Sequence, residues 1–114
     1  MKWLRCSLTD METEQELTID VLVNADSIVC PFYSYYGFWR STDGSETYPV
    51  IFLNDQSAMD YGTEFGTDKV RYGKFPLHGR PMFEGARFSS TDSVGEIELI
   101  VKRCRDLVAE NALK

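Results

Sequence analysis

The chain has 114 residues, of which 43% are hydrophobic and 13% aromatic, and its formal net charge is −6. One hydrophobic core suffices at this length, and the aromatic content is typical of a folded chain rather than a disordered one. We therefore expect a single domain over residues 1–114. The negative charge argues against general affinity for nucleic acid, because such binding depends on neutralising phosphates.

No segment has the composition of a membrane span or an export signal. The longest apolar run, residues 50–53, is far shorter than the roughly 20 residues that cross a bilayer. The N-terminal segment is interrupted by polar residues before a signal-peptide core can form. The cysteines Cys6, Cys30 and Cys104 are odd in number and widely spaced, which is typical of reduced thiols. We expect no membrane association and a cytoplasmic location.

Alternation of apolar and polar residues predicts strands over residues 3–8 and 17–23. The acidic segment between them, residues 9–16, fits either a short helix or a hairpin loop. The aromatic residues that follow, over 32–39, favour an extended segment with rings on both sides of a sheet.

Turn residues divide the middle of the chain into short elements. Asp43-Gly44 predicts a hairpin turn, and residues 50–53 a short core strand. Residues 56–61 fit a brief helix that ends at the next glycine. Five glycines and two prolines make residues 62–90 rich in loops. Short strands are expected there, around 69–72 and 82–88.

The C-terminal segment has the pattern of an amphipathic helix. Ser93 and Glu96 have the spacing of a capping box. Apolar residues then recur at steps of three and four, at Ile97, Ile100, Val101, Cys104, Leu107 and Val108. The predicted fold class is α+β: a strand-rich part, residues 1–90, and a helix over about 94–112. The strands form a curved antiparallel sheet or half-barrel of about five to seven strands, and the helix packs on it.

The aromatic run supplies the first candidate binding surface. It holds six rings within eight residues, and several of them must meet a second layer of the fold, a ligand or another chain. Cover of all the rings by the predicted helix and loops is the simplest explanation. The candidate residues are Tyr33, Tyr35, Tyr36, Phe38 and Trp39. Tyrosine and tryptophan are enriched at protein interfaces. We expect a small, soluble, non-catalytic protein-interaction module that self-associates, with another protein as the other partner these rings would fit. A small-molecule domain with an aromatic-lined pocket is the alternative.

Charge is divided unequally along the chain. Residues 6–68 carry twelve carboxylates and one base, whereas residues 69–90 carry five bases and one carboxylate. The second stretch is a possible anion-binding loop, formed by Lys69, Arg71, Lys74, His78, Arg80 and Arg87. Pairing with the acidic half, or solvation, explains these bases more simply. The acidic stretch, residues 10–26, suggests a third function, an inhibitor or immunity-type protein that docks on a basic partner.

Motifs for catalysis, metals and cofactors are absent from the sequence. His78 is the only histidine and lies in a predicted solvent-facing turn, and no CxxC pair or glycine-rich phosphate loop occurs. We expect no metal and no cofactor, and an enzyme is not favoured, because no nucleophile and base are identifiable.

Overall fold

The computed structural model describes residues 1–45, 47–54, 57–60, 71–92 and 96–108. All eight elements in these ranges are strands. They are β1 (Lys2–Asp10), β2 (Glu16–Val23), β3 (Tyr35–Arg40), β4 (Thr47–Phe52), β5 (Ser57–Asp60), β6 (Arg71–Lys74), β7 (Arg87–Asp92) and β8 (Glu96–Asp106). The predicted α+β class is therefore wrong, and the described chain is all-β.

The strands form one antiparallel sheet that curls and closes on itself. Each strand pairs with the next in the chain, and β1 also pairs with β8, which closes the barrel. The predicted curved antiparallel sheet is thus confirmed, with eight described strands instead of about five to seven. Among the described residues, β6 and β7 share the register pairs Gly73 with Asp92 and Lys74 with Thr91.

The two predicted N-terminal strands are confirmed as β1 and β2. In β2 the residues Leu17, Ile19, Val21 and Val23 are buried and alternate with more exposed ones. This period of two places every second side chain inside the barrel. The acidic segment between the strands is a hairpin loop, since Thr9 is paired with Glu16.

The hairpin predicted at Asp43-Gly44 joins β3 and β4, although its loop is longer than two residues because Arg40 pairs with Thr47. Gly44 has a φ of 74°, a conformation that glycine adopts without a steric penalty. Hydrogen bonds from Ser45, including one of 2.7 Å from its hydroxyl to Asp43 Oδ1, lower the pKa of the Asp43 carboxyl to about 2, with a further contribution from the Ser41 hydroxyl.

Side chains fill the interior of the barrel. Aromatic rings form its centre: Phe75 packs edge-on against Phe52 at 4.9 Å and stacks on Phe88 at 5.9 Å. Aliphatic residues surround them, namely Leu4, Leu8, Leu17, Ile19, Val21, Val23, Val29, Val50, Leu77, Met82, Leu99 and Val101. An interior of this kind is a packed core, and its burial supplies the main stabilisation of the fold.

Two long connections cross the same end of the barrel, residues 24–34 and residues 75–86. Backbone hydrogen bonds join them: Val29 N donates to Arg80 O at 2.9 Å, and Gly79 N donates to Val29 O at 2.8 Å. Val29 and residues of the second connection, such as Leu77, are buried. The two segments therefore cover the core at this end.

The predicted C-terminal helix over about 94–112 is wrong, because residues 96–106 form the longest strand, β8. Only Leu107 and Val108, at the end of the last described range, have helical backbone. Ser93 of the predicted capping box lies outside the described residues.

A β-bulge explains why β8 has a helix-like pattern. Ser7 of β1 is paired with Arg103 and Leu8 with Val101, so that Lys102 is an extra residue in β8. Val101 faces inward before the bulge and Cys104 after it, a step of three instead of two. That step imitates the spacing of a helix, whereas the pairing with β1 and β7 requires a strand.

Three other predictions in the middle of the chain are corrected or shifted. The brief helix over 56–61 is wrong, since Ser57–Asp60 form β5. The strands expected at 69–72 and 82–88 correspond to β6 and β7. β6 continues to Lys74, residues 69 and 70 lie outside the described part, and β7 is displaced toward the C-terminus. Within the described ranges, no helix is long and apolar enough to cross a membrane.

Candidate functional site

β3 divides the aromatic run between the inside and the outside of the barrel. Tyr35 and Trp39 are buried, at 1% and 7% exposure, whereas Tyr36 and Phe38 are exposed, at 69% and 37%. Gly37 lies between the exposed pair. The alternation of a strand thus sends two rings into the core and leaves two on the outer face.

The residues next to β3 extend the exposed aromatic area. Phe32 and Tyr33, in the segment that leads into β3, are exposed. Trp3, near the start of β1, is also exposed and lies edge-on to the buried Tyr35 ring, with 6.1 Å between centroids. We call these five exposed residues, Trp3, Phe32, Tyr33, Tyr36 and Phe38, the outer aromatic surface.

A shallow groove of about 190 Å³ lies on the outer face of β1, β2 and β3. Its lining residues are Arg5, Thr18, Asp20, Tyr36, Gly37 and Phe38. The strand register places them side by side, since Arg5 is paired with Asp20 and Thr18 with Phe38. The groove therefore combines two exposed rings with one cation and one carboxylate.

Gly37 shapes the wall of this groove. A Cβ atom at this position would lie 2.5 Å from the backbone oxygen of Thr18, and 3.3 Å from both Ile19 and Phe52. A glycine in a strand commonly marks such a close approach of neighbouring backbones. The close packing of β3 on β2 brings Tyr36 and Phe38 beside the charged pair.

The charged pair in the groove has bidentate geometry. Arg5 Nε donates to Asp20 Oδ1 at 2.8 Å, and Arg5 Nη2 donates to Asp20 Oδ2 at 3.0 Å. On the other side of Arg5, Arg105 of β8 is its direct cross-strand partner. Two like charges at directly opposed positions repel, and Asp20 offsets that repulsion.

The buried half of the aromatic run belongs to the core. The Tyr35 hydroxyl donates to Cys30 O at 2.7 Å and to Leu22 O at 3.3 Å. Burial raises the pKa of Tyr35 to about 12, with a smaller contribution from Cys30. Tyr35 and Trp39 therefore support the site from inside, and the five predicted binding residues do not line one pocket.

His78 packs beside Tyr35, with ring centroids 5.2 Å apart. Its exposure is only 4%, and its Nε2 lies 2.6 Å from the Tyr33 carbonyl oxygen. The turn predicted at His78 is present, but its solvent-facing orientation is wrong. His78 fixes the segment that carries Tyr33 and Phe32.

The other residues of the predicted anion-binding loop are distributed around the wall. Arg80 lies over the Phe88 ring at 4.8 Å and donates to Arg87 O at 3.1 Å. Arg87 Nη1 is 3.8 Å from Glu98 Oε1. Lys74, in β6, is exposed. Lys69 and the side chain of Arg71 lie outside the described part, so that the loop stays a prediction.

The acidic stretch over residues 10–26 has several different roles. Asp10 is buried, and its Oδ1 accepts hydrogen bonds from Glu12 N at 2.8 Å and Thr13 N at 3.2 Å, which holds the β1–β2 loop. Asp20 pairs with Arg5. At the rim, Glu12 lines a broad depression of about 570 Å³, together with Met11, Ser89, Glu96, Ile97 and Glu98.

Among the residues that the structure describes, no group of three or more histidine, cysteine, aspartate or glutamate side chains is arranged to hold a metal ion. Comparison of the chain with protein-family models, with curated proteins and with solved structures found no match.

Sequence reasoning missed Trp3, Arg5, Asp20 and Gly37 as parts of the site. Arg5 and Asp20 are 15 positions apart, and only the β1–β2 register brings them together. A signal was present, however, because the alternation of apolar and polar residues in β1 and β2 places both Arg5 and Asp20 on the outward side. Pairing these two strands as a hairpin would have placed a cation next to a carboxylate.

Proposed function

We propose that this chain is a non-catalytic protein-interaction module. Its contact surface is the outer aromatic surface and the adjoining groove, and its partner is a second copy of the same chain. The supporting observation is the exposure of Tyr36 and Phe38 beside the Arg5–Asp20 pair on the outer face of the sheet.

The exposed rings support an interface. Tyr36, Phe32 and Tyr33 leave about half or more of their surface in water, at 69%, 82% and 49% exposure. Clusters of exposed aromatic residues mark interaction sites, since covering them removes apolar area from water. Tyrosine and tryptophan also lose little side-chain entropy when they are covered.

The dimensions of the groove support an interface over a small-molecule pocket. Its volume is about 190 Å³, whereas pockets for drug-sized ligands usually enclose roughly 300–1,000 Å³. Its two rings, Tyr36 and Phe38, are exposed on the outer face of β3. Another protein covers more of these rings than a ligand confined to the groove does.

The charges on this surface favour a second copy as the partner. Arg5 and Asp20 flank the same two rings, so that the surface carries both signs within one patch. In a two-fold interface the same patch of both copies is in contact, so that if one residue contacts a second residue of the partner, the second contacts the first in return. Arg5 of one copy then faces Asp20 of the other, while the rings pack across the axis.

Light scattering over a concentration series tests this proposal. The test variant is Tyr36→Thr with Phe38→Thr, which removes both rings and retains a good strand-forming residue at each position. The matched control is Met11→Thr, because Met11 is 47% exposed but lies in the β1–β2 loop at the opposite end of β1. Circular dichroism verifies that all three chains are folded.

We expect the wild type and the Met11 variant to associate, and the double variant to associate at least about tenfold more weakly. Raising the ionic strength weakens the wild-type contact, since salt screens the attraction between Arg5 of one copy and Asp20 of the other. A wild type that is monomeric at every concentration contradicts self-association. Association that is unchanged in the double variant contradicts the assignment of the surface.

The cysteines support a cytoplasmic location within this proposal. All three are free thiols in the structure. Free thiols persist in a reducing compartment. Fractionation of the producing cell tests the location, and recovery of the chain only outside the cytoplasm argues against it.

A further inference from the structure

The pairing of β1 with β8 places two cysteines directly opposite each other. Cys6 and Cys104 are register partners across this closing contact of the barrel, and their Sγ atoms are 3.5 Å apart. Directly opposed residues of antiparallel strands have Cα atoms about 4.5–5.5 Å apart, and disulfides span Cα separations of about 4.4–6.8 Å. The backbone is therefore already positioned for a disulfide, and side-chain rotation can bring the sulfur atoms to bonding distance.

The two thiols differ in reactivity. Cys6 is completely buried, and its pKa is raised because its S–H donates to Cys104 Sγ and because burial disfavours the thiolate. Cys104 is partly exposed at the end of β8, and its pKa is lowered because it accepts that hydrogen bond. An oxidant from solvent therefore meets the more reactive thiol first, as in other cysteine pairs with one accessible member.

We propose that Cys6 and Cys104 are a redox-active pair that forms a reversible disulfide across the β1–β8 contact, with a hydroperoxide as oxidant. The Cys104 thiolate attacks one peroxide oxygen, the O–O bond breaks, and the leaving hydroxide takes up a proton. Cys104 is then a sulfenic acid. Cys6 Sγ attacks Cys104 Sγ, the S–O bond breaks, and the hydroxyl leaves with the Cys6 proton as water.

With hydrogen peroxide, the reaction consumes two thiols and one peroxide molecule and forms one disulfide and two water molecules. A dithiol reverses the reaction by thiol–disulfide exchange, in which it is oxidised and both cysteines are reduced. This activity is independent of the outer aromatic surface.

The position of the pair gives the disulfide a structural effect. Cys6 and Cys104 are 98 positions apart, so that the bond closes a loop of nearly the whole chain. It also ties β1 to β8, at the one pairing among the described strands that does not join consecutive strands. Restricting so long a loop lowers the entropy of the unfolded chain and raises stability.

Cys30 provides an internal control. Its Sγ lies 3.4 Å from Met1 Sδ, and a thioether does not form a disulfide with a thiol. Cys30→Ser therefore leaves the proposed pair intact and removes the competing thiol.

The experiment is treatment of the reduced full chain, and of Cys30→Ser, with hydrogen peroxide. Free thiols are then blocked by alkylation, and disulfide-linked peptides are identified by mass spectrometry. We expect an intramolecular Cys6–Cys104 link in both chains, reversal by dithiothreitol, and a melting temperature at least about 5 °C higher in the oxidised form. In Cys6→Ala, the expected product is a Cys104 sulfenic acid that reacts with dimedone.

Three results overturn the proposal: no Cys6–Cys104 peptide in the wild type, links only between different chains, or an oxidised form that is not reduced again by dithiothreitol. The wild-type peptide map does not depend on whether any variant folds. Faster peroxide consumption by Cys104→Ser than by Cys6→Ala overturns the assigned order of attack.

Discussion

The hydroxyl of Tyr35 donates a hydrogen bond of 2.7 Å to the backbone carbonyl oxygen of Cys30, inside the end of the barrel that the two long connections cover. This bond ties β3 to the segment that carries Phe32 and Tyr33. It also accounts for the burial of a tyrosine at 1% exposure, because a buried hydroxyl requires a partner.

Substitution of Tyr35 by phenylalanine should lower the free energy of unfolding by about 1–3 kcal/mol, because it leaves the Cys30 carbonyl buried without its donor. Urea denaturation measures this loss. The matched control is Tyr36→Phe, which removes a hydroxyl from the neighbouring ring at 69% exposure and should change stability by less than about 0.5 kcal/mol. Equal losses in the two variants would contradict the role of the buried hydroxyl.

Tyr35 should also make the fold sensitive to alkali. Its pKa is raised to about 12 from an ordinary value of 10.0, so that above pH 10 the unfolded chain loses this proton while the folded chain keeps it. The contribution to stability is complete below pH 10 and is lost as the pH rises toward 12, with a slope of at most about 1.4 kcal/mol per pH unit. Urea midpoints measured between pH 9 and pH 11.5 should fall more steeply in the wild type than in Tyr35→Phe. Parallel curves would exclude Tyr35 as the titrating group.

Gly37→Ala should destabilise the barrel by about 1–3 kcal/mol, since the new Cβ would lie 2.5 Å from the Thr18 backbone oxygen. Gly44→Ala is the comparison, because Gly44 has open space around it but a φ of 74°. It should cost about 1 kcal/mol through backbone strain alone. Thermal unfolding measures both. A Gly37→Ala variant as stable as the wild type would show that β2 and β3 separate without cost.

Asp10 should matter for stability more than the neighbouring exposed carboxylates. Asp10→Ala removes the acceptor for Glu12 N and Thr13 N in the β1–β2 loop, which should cost about 1–3 kcal/mol. Asp10→Asn keeps an oxygen in the same place and should recover most of this loss. Urea denaturation of both variants makes the comparison, and an Asn variant as unstable as the Ala variant would point to the charge instead of the acceptor.

Local pattern was sufficient to predict β1, β2 and the turn between β3 and β4, although it failed for β5, whose partners are also its neighbours in sequence. The alternation in β1 and β2, and the turn at Asp43-Gly44, each depend on residues only a few positions apart. Of the eight pairings between the strands that the structure describes, seven join consecutive strands. A chain of hairpins of this kind is largely encoded by local signals.

The nature of β8 could not be predicted in the same way. Its partner β1 lies at the other end of the chain, and the bulge at Lys102 gives the inward residues a spacing of two and then three. Ile97, Ile100 and Val101 are β-branched and favour a strand, but their spacing matched a helix equally well. The pairing with β1 makes this segment a strand, and the local sequence pattern carries no information about that pairing.

The candidate site was partly predictable. Alternation predicts that the rings of residues 32–39 divide between two sides. The structure shows this division within β3, whereas Phe32 and Tyr33 precede the strand and are both exposed. Which half is buried depends on the register of β3 against β2, where Leu17 pairs with Trp39 and Ile19 with Gly37. Substitutions at Tyr35 or Trp39 therefore disturb the core, whereas those at Tyr36 and Phe38 address the surface.

Closure of the barrel also limits how another protein can attach to it. Each of the eight described strands has a neighbour on both sides. An added strand needs a free row of backbone donors and acceptors, as at the rim of an open sheet. A partner of these strands consequently contacts side chains, so that single substitutions on the outer wall can change its affinity. Binding by strand addition, which depends on backbone hydrogen bonds, would be much less sensitive to such substitutions.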